Sequence, residues 1–300
     1  MDMIDSPTER PKAATSAMMI VITLLSLGPK LGWPRDPVQL PHAQEIAKQE
    51  KIYNSRGADV PSGYVIDRGL SDYAELLPSG FCHSLDSLNS TDRWLDIGAG
   101  EGQAILDYYA PEGDAAPAQK CARSRGDSRA VAISIEDRRT DKWKQQAASL
   151  GSRIQYLYGK RLRHYSREEL GNFQVVTDVY GGFSYTENLS QFLEKVLSLL
   201  KIGGGFYTVV QSVHLENGKN NPNIPYQTEL VDAAGRGVKV CSWLKQTTCV
   251  KVACESKSDW DTPSELIHIR KLCSDVTVQR MKLLKYEAGN PPTRRFELEP

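Results

Sequence analysis

The residues best suited to chemistry in this chain form a hydrophobic run that ends in an acid and continues into three alternating glycines. The acid is Asp96, and the glycines are Gly98, Gly100 and Gly102. Glycines permit positive φ and leave the main chain bare, so a ligand can lie directly against the backbone. The residues that follow have the pattern of a helix, whose first N–H groups would point back at that ligand. This turn favours a nucleotide-like cofactor.

Asp96 narrows the choice of ligand. A carboxylate beside the glycines would repel a pyrophosphate and attract a cationic amine or sulfonium. The spacing also departs from the Gly-x-Gly-x-x-Gly of dinucleotide turns, because the third glycine comes one residue early. Both features argue against a dinucleotide.

The pattern Asp96-x-Gly98-x-Gly100-x-Gly102 resembles the first motif of the class I S-adenosylmethionine-dependent methyltransferases. The resemblance implies that the loop backbone, including Ala99, holds the methionine end of S-adenosylmethionine. It also implies that the acid contacts this cofactor directly or through water. The implied activity is methyl transfer to a small-molecule or peptide acceptor.

Apolar strand-like runs alternate with helix-like ones after this motif, in the order that the family shows. The predicted strands span residues 130–135, 154–158, 173–177, 205–210, 249–254, 265–271 and 296–298. The alternation predicts an α/β fold with a Rossmann-like, mostly parallel sheet and helices on both faces, preceded by a small N-terminal helical cap. The clearest helix spans residues 185–200, with Thr186 as its cap and glycines 203–205 ending it.

The residues after each strand are the further candidates, because ligands of open α/β sheets lie beyond the carboxyl ends of the strands. Glu136 follows the second strand and is the candidate for binding both ribose hydroxyls. The usual register would put Ser134 there, and Asp137 is a further alternative. An insertion at residues 110–128 explains the long distance from the glycines but not the register.

The third and fourth strands also end in candidate residues. Lys160 stands where the family more often has an acid near the adenine, so only its backbone is expected to read the adenine edge. Asp178 and Val179 lie where cofactor and acceptor meet in these enzymes, and Tyr180 is a candidate aromatic wall over the sulfonium. The segment lacks the Asn/Asp-Pro-Pro-Tyr/Phe signature of enzymes that methylate exocyclic amines of bases, so DNA amino-methylation loses support.

His214 follows the fifth strand and is the candidate catalytic base for a hydroxyl or amine acceptor. Methyl transfer from a sulfonium depends mainly on alignment, so a dedicated catalytic residue is not required. Tyr64 and Tyr73 of the predicted cap are candidate walls of the acceptor site. Ordinary packing is the alternative for each of these tyrosines, and a place on the rim is the alternative for His214.

Three regions are predicted along the chain: a hydrophobic leader and linker at residues 1–41, the cap at 42–92 and the cofactor-binding core at 93–300. The longest apolar run, residues 17–27, is shorter than the ~20 residues that span a bilayer, so no stable membrane insertion is expected. The run resembles a secretory signal, but acids in the leader cancel its basic charge. A cytoplasmic protein is predicted, with export as the alternative.

Composition excludes some partners. Lysine plus arginine and aspartate plus glutamate both total 37, so no net field draws the chain to nucleic acid, and no nucleic-acid partner is expected. The six cysteines show no CxxC pair and no zinc spacing, so no metal is expected and most are predicted to be buried thiols. A Cys241–Cys254 disulfide is the alternative for an exported chain. The oligomeric state is left open.

Two other functions stay open. An NAD(P)-dependent oxidoreductase is the first, because glycine-rich strand–turn–helix units serve both kinds of cofactor. A non-catalytic methyltransferase-like binding protein is the second, suggested by Ser134 and Lys160 where acids are common.

Overall fold

The computed structural model of the 300-residue chain describes residues 67–109, 121, 128–211, 227–257, 264–287 and 293–300. The predicted leader and the candidates Tyr64 and His214 lie outside the described residues, so their predicted roles stay predictions. None of the helices in the described ranges is long and apolar enough to cross a membrane.

Short helices and strands alternate along the described chain, as the hydrophobic pattern predicts. The helices are α1 (Leu70–Leu76), α2 (Gly80–Asp86), α3 (Gln103–Tyr109), α4 (Asp141–Leu150), α5 (Arg167–Leu170), α6 (Gly182–Tyr185), α7 (Leu189–Leu199) and α8 (Val240–Leu244). The strands are β1 (Arg93–Ile97), β2 (Arg129–Ile133), β3 (Ile154–Leu157), β4 (Phe173–Val179), β5 (Leu200–Val210), β6 (Gln227–Val231), β7 (Gly237–Val238), β8 (Val250–Lys257), β9 (Ser264–Lys271), β10 (Met281–Glu287) and β11 (Thr293–Leu298).

The larger sheet has seven strands in the order β3-β2-β1-β4-β5-β9-β8. Strands β1 to β5 pair in parallel, whereas β9 runs antiparallel to β5 and β8 antiparallel to β9. The predicted mostly parallel sheet is therefore confirmed. Strand order reverses between β1 and β4, and ligands of such sheets bind in the crevice at that switch point.

Side chains of the central strands alternate between two buried clusters, one on each face of the sheet. Leu95 and Ile97 join the cluster that includes residues of α5, α6, α7 and α8. Trp94 joins the cluster that includes residues of α1, α2, α3 and α4. Both faces are thus covered by helices, as predicted, and the described part of the cap packs on the second face.

The predicted start of the clearest helix, at residue 185 with Thr186 as its cap, was wrong. Helix α7 begins at Leu189, because the side chain of Asn188 accepts a hydrogen bond from the Gln191 backbone N–H at 2.9 Å and caps the first turn. The hydroxyl of Thr186, the predicted cap, instead accepts from the Asn188 N–H at 3.1 Å. Residues 182–185 form the separate short helix α6.

The predicted role of glycines 203–205 in ending this helix was also wrong, because they lie within β5. Gly203 has a φ of 83°. A Cβ atom on Gly204 would lie 2.9 Å from the carbonyl oxygen of Gln174 in β4. The glycines therefore allow β5 to approach its neighbouring strand closely where the register between the two strands shifts.

A second sheet, in the order β10-β11-β6-β7, packs beside the first. The sequence pattern predicts only residues 296–298 of this sheet, because its strands are short or rich in charged residues. Leu230, Met281, Phe296 and Leu298 nevertheless join the same buried cluster as α7. The smaller sheet thus extends the core on that face.

All six cysteines are paired, as Cys82–Cys121, Cys241–Cys254 and Cys249–Cys273. The prediction that most are buried thiols was therefore wrong, while the Cys241–Cys254 alternative is present. The Cα atoms of the three pairs are 4.6, 6.3 and 5.2 Å apart, within the range that a disulfide spans. The spacing of cysteines in the sequence does not predict such pairs, because the fold brings distant segments together.

Candidate functional site

The glycine turn lies at the carboxyl end of β1, at the switch point of the sheet. Gly98, Gly100 and Gly102 have φ angles of 74°, 57° and 82°, a region that side chains rarely adopt. A Cβ atom on Gly98 would lie 2.6 Å from the Cα atom of Gly181, in the loop after β4. The loops that follow β1 and β4 are therefore in direct main-chain contact.

Part of the turn's hydrogen-bonding capacity is used inside the fold. The backbone N–H groups of Gly98 and Ala99 both donate to the carbonyl oxygen of Ile133 in β2, at 2.9 and 3.1 Å. The N–H of Gly102 donates to Ala99 at 2.8 Å. These bonds hold the turn against β2, so a ligand here would meet mainly the bare Cα surface of the glycines.

Two aromatic residues support the turn from behind. The hydroxyl of Tyr156, in β3, donates to the carbonyl oxygen of Gly100. The indole N–H of Trp143, in α4, donates to the carbonyl oxygen of Gly102 at 3.3 Å, and a Cβ atom on Gly102 would lie 2.9 Å from that nitrogen. Sequence reasoning missed both residues, because nothing in their local pattern links them to the turn.

Asp96 is fully buried at the end of β1. The hydroxyl of Tyr73 donates to it, lying 3.0 and 2.9 Å from its two carboxylate oxygens, and the hydroxyl of Thr177 donates at 2.7 Å. Burial raises the pKa of Asp96 to about 7, although both hydrogen bonds act to lower it. Burial, together with the charge of Asp96, raises the pKa of Tyr73 well above its ordinary value.

Asp178 is a second buried carboxyl, one strand away at the end of β4. Its two oxygens accept the backbone N–H groups of Gly181 and Phe183, each at 3.0 Å. Burial raises the pKa of Asp178 to about 7, and the charge of Asp96 adds to the rise. Val179, the last residue of β4, is also buried. The ends of β1 and β4 thus each carry a buried carboxyl whose pKa is raised to about 7.

The segment before α1 lies over both loops. The carboxylate of Asp67 accepts the backbone N–H of Glu101, in the glycine turn, at 3.0 Å. The guanidinium of Arg68 stands 5.1 Å from the ring centroid of Tyr180, which has a φ of 52°. Sequence reasoning did not single out Asp67 or Arg68, because nothing in their local pattern marks a site.

The three candidates for binding the ribose, Ser134, Glu136 and Asp137, follow β2 and differ in their contacts. Ser134 is buried. Asp137 accepts two hydrogen bonds from Arg139 at 2.8 and 2.7 Å, and these bonds lower its pKa. Glu136 has a longer contact of 3.4 Å with Arg138 and a side chain that is 30% exposed. Its carboxylate is therefore less committed to protein partners than that of Asp137.

Lys160 turns its side chain toward α5. Its ammonium lies 2.8 Å from a carboxylate oxygen of Glu169 and 4.7 Å from the ring centroid of Tyr165. The bond to Lys160 lowers the pKa of Glu169. The side chain of Lys160 is thus occupied within the protein, and the predicted role of its backbone at the adenine stays a prediction.

No protein-family model and no curated protein matches this chain. Solved structures do resemble it. The N-terminal domain of EvdMO1, crystallised with SAH and D-fucose, is 11% identical, with 78% of this chain and 98% of that one covered and a TM-score of 0.42. An rRNA methylase from Streptococcus thermophilus is 12% identical, with 64% of this chain and 95% of that one covered and a TM-score of 0.38. An RNA methyltransferase from Salinibacter ruber, in complex with S-adenosyl-L-homocysteine, is 11% identical, with 67% of this chain and 95% of that one covered and a TM-score of 0.34.

These likenesses span most of each neighbour's own length. At identities of 11–12% and TM-scores of 0.42 and below they describe the arrangement of the elements and carry no assignment of activity.

Proposed function

We propose that this chain transfers a methyl group from S-adenosylmethionine to a small-molecule or peptide acceptor. The observation that carries the proposal is the glycine turn at the switch point of the sheet. All three glycines of the turn adopt positive φ. Gly98 also lies against Gly181, so the turn and the loop after β4 meet at the carboxyl end of the sheet, where strand order reverses. Ligands of open α/β sheets bind in the crevice at such a switch point.

The residues present fit this cofactor. The bare main chain at the glycines suits close approach of its aminoacyl end, and the buried carboxyls of Asp96 and Asp178 suit a positively charged ligand. Glu136 offers an acceptor for ribose hydroxyls at the end of the neighbouring strand. A pyrophosphate would instead lie near two buried carboxyls, which supports the methyl donor over a dinucleotide.

When bound, S-adenosylmethionine supplies an electrophilic methyl group on a positively charged sulfur. The task of the chain is to align this group with the acceptor and to exclude water. Asp96 and Asp178, when ionised, stabilise positive charge in the crevice, and the ring of Tyr180 offers a face for a cation. His214, which lies outside the described residues, is proposed to deprotonate a hydroxyl or amine acceptor.

A non-catalytic binding protein is the second candidate, and specific contacts favour it. Both oxygens of Asp96 are already hydrogen-bonded, to Tyr73 and Thr177. Asp67 already accepts the N–H of Glu101 in the glycine turn. Groups that would meet a cofactor thus have partners within the chain, and such a protein would bind neither the cofactor nor its product.

Titration calorimetry with S-adenosylhomocysteine, together with a fluorescence titration of NADH, separates the candidate functions. Binding of S-adenosylhomocysteine with no change of NADH fluorescence is the result expected for a methyltransferase. A change of NADH fluorescence without S-adenosylhomocysteine binding would support the oxidoreductase. A protein that unfolds cooperatively and binds neither compound would be the non-catalytic candidate.

A matched pair of glycine variants tests the site itself. Gly98→Ala places a Cβ atom 2.6 Å from Gly181 and should abolish S-adenosylhomocysteine binding. Gly235→Ala has a similar positive φ, 76° against 74°, but its Cβ atom meets nothing within 4 Å, so it controls for backbone strain alone. Equal affinities of the two variants for S-adenosylhomocysteine would show that the glycine turn at Gly98 is not the binding site.

The three disulfides support export over the cytoplasmic prediction, because such bonds persist in oxidising compartments and are rare in the cytosol. S-adenosylmethionine is made in the cytosol, so export would in turn favour the non-catalytic candidate. Intact mass of the protein from its native host, measured before and after reduction, tests the compartment. The absence of a nucleic-acid partner and the open oligomeric state remain expectations from the sequence.

A further inference from the structure

Arg294, in β11 of the smaller sheet, reaches into the loop that follows β4. One of its terminal nitrogens, Nη1, donates to the carbonyl oxygens of Phe183 and Thr186 at 2.8 and 2.9 Å. The other, Nη2, donates to the hydroxyl of Thr228 in the adjacent strand β6. The side chain is only 2% exposed, so the guanidinium is a buried cation.

Burying this cation has a free-energy cost. Burial lowers the pKa of Arg294 to about 10. Within the described part of the chain, its hydrogen bonds go to neutral oxygens and its Nε atom has no partner. An apolar side chain of similar volume would avoid the desolvation penalty. The planar fork of donors on arginine fits several fixed oxygens at once, which an apolar side chain cannot do.

The two carbonyl oxygens that Arg294 holds belong to α6 and to the residue that follows it. The first residues of the same loop are held from the other side, since the carboxyl of Asp178 accepts the N–H groups of Gly181 and Phe183. Phe183 is thus bound at its N–H by Asp178 and at its carbonyl by Arg294. The loop after β4 is clamped between the larger and the smaller sheet.

This loop has little freedom where it meets the glycine turn. A Cβ atom on Gly181 would lie 2.5 Å from the carbonyl oxygen of Ile97, the last residue of β1. A shift of the loop toward β1 would therefore clash, and a shift away would separate Gly181 from Gly98. The position of the loop thus determines how closely it packs on the glycine turn.

We propose that Arg294 is a positioning residue, which sets the loop of residues 180–186 against the glycine turn and so links the smaller sheet to the candidate cofactor site. The significance of this loop for the cofactor rests on the proposed function. The clamp itself rests on the hydrogen bonds of Arg294 and Asp178 alone.

The test compares Arg294→Lys with Arg295→Lys. Arg295 is the next residue of β11, its side chain lies on the opposite face, and it contacts Glu229 at 3.7 Å. Lysine keeps the charge but cannot reach the three oxygens with a planar fork. We expect Arg294→Lys to speed amide exchange in residues 181–186 about tenfold and to weaken S-adenosylhomocysteine binding about tenfold, as loss of one or two hydrogen bonds implies. Arg295→Lys should leave both unchanged.

Thr228→Val is the second variant, because it removes only the hydroxyl that accepts from Arg294 and keeps the volume of the side chain. Thr228→Val should also speed amide exchange in residues 181–186, to a smaller extent than Arg294→Lys. If Arg294→Lys does not fold, this second variant tests whether Arg294 positions the loop. Wild-type exchange in residues 181–186 of both variants would overturn the proposal. So would a rise spread equally over β6, β11 and the loop, since that indicates general loosening.

The two proposals fail in different ways. If the wild-type protein does not bind S-adenosylhomocysteine, the proposed function fails, while the exchange comparison still decides whether Arg294 positions the loop. If binding is present and Arg294→Lys leaves both affinity and loop exchange unchanged, only the positioning role is lost.

Discussion

The hydroxyl of Tyr73 lies 3.0 and 2.9 Å from the two carboxylate oxygens of Asp96. Tyr73 belongs to α1 in the cap, and Asp96 to the end of β1, so this contact joins the cap to the acid of the glycine motif. Both side chains are buried. The cap therefore contributes to the environment of the carboxyl beside the proposed cofactor site.

Tyr73→Phe removes this hydroxyl and should lower the free energy of unfolding by about 1–2 kcal/mol, because a buried acceptor loses its donor. The hydrogen bond from Tyr73 lowers the pKa of Asp96, so the pKa should rise further in the variant. The pH midpoint of S-adenosylhomocysteine binding, measured by calorimetry, should move upward accordingly. Tyr207→Phe is the control, since its hydroxyl contacts Ser84 at 2.6 Å on the same face and should leave the midpoint in place.

Asp96→Asn should become more stabilising as pH rises from about 5 to 7. The pKa of Asp96 is raised from 3.8 to about 7 in the folded chain, so the native state holds a proton there that the unfolded state has lost. Stability contributed by this group is therefore lost as the pH rises, until the folded-state pKa is passed. Urea unfolding of the variant and the wild type at several pH values measures the difference, and a difference that is independent of pH would contradict the shift.

Glu136→Gln should weaken S-adenosylhomocysteine binding about tenfold, because the loss of a charged acceptor to ribose hydroxyls removes a strong hydrogen bond. Asp137→Asn is the matched control, since that carboxylate is already engaged by Arg139. Calorimetry on both variants assigns the residue. The reverse outcome, weakening only in Asp137→Asn, would move the ribose site by one position.

The disulfide between Cys241 and Cys254 closes a short loop, with a sequence separation of 13. Replacing both cysteines by alanine should lower the free energy of unfolding by roughly 3 kcal/mol, as loop-closure entropy implies. Denaturant titration measures this. In the wild type, alkylation of the unfolded, unreduced protein should label no cysteine and alkylation after reduction should label all six, and a labelled cysteine before reduction would contradict the pairing.

The sequence by itself determined the larger sheet and the glycine turn, because both depend on local patterns. Apolar runs of strand length between helical segments predict parallel strands. Alternating glycines after Asp96 predict positive φ, and Gly98, Gly100 and Gly102 have it. The candidate residues at the strand ends follow from this topology without knowledge of any contact.

Only the tertiary structure decided which groups meet. Asn188 rather than Thr186 caps α7, because the choice depends on the path of the preceding chain. Cys82 pairs with Cys121 across a sequence separation of 39, and Arg294 reaches Phe183 across 111 positions. Such contacts leave no periodicity in the sequence, since they arise between segments that are positioned independently and satisfied only after the sheets pack. The buried partners of the site therefore come from the fold, whereas the local pattern specifies the turn.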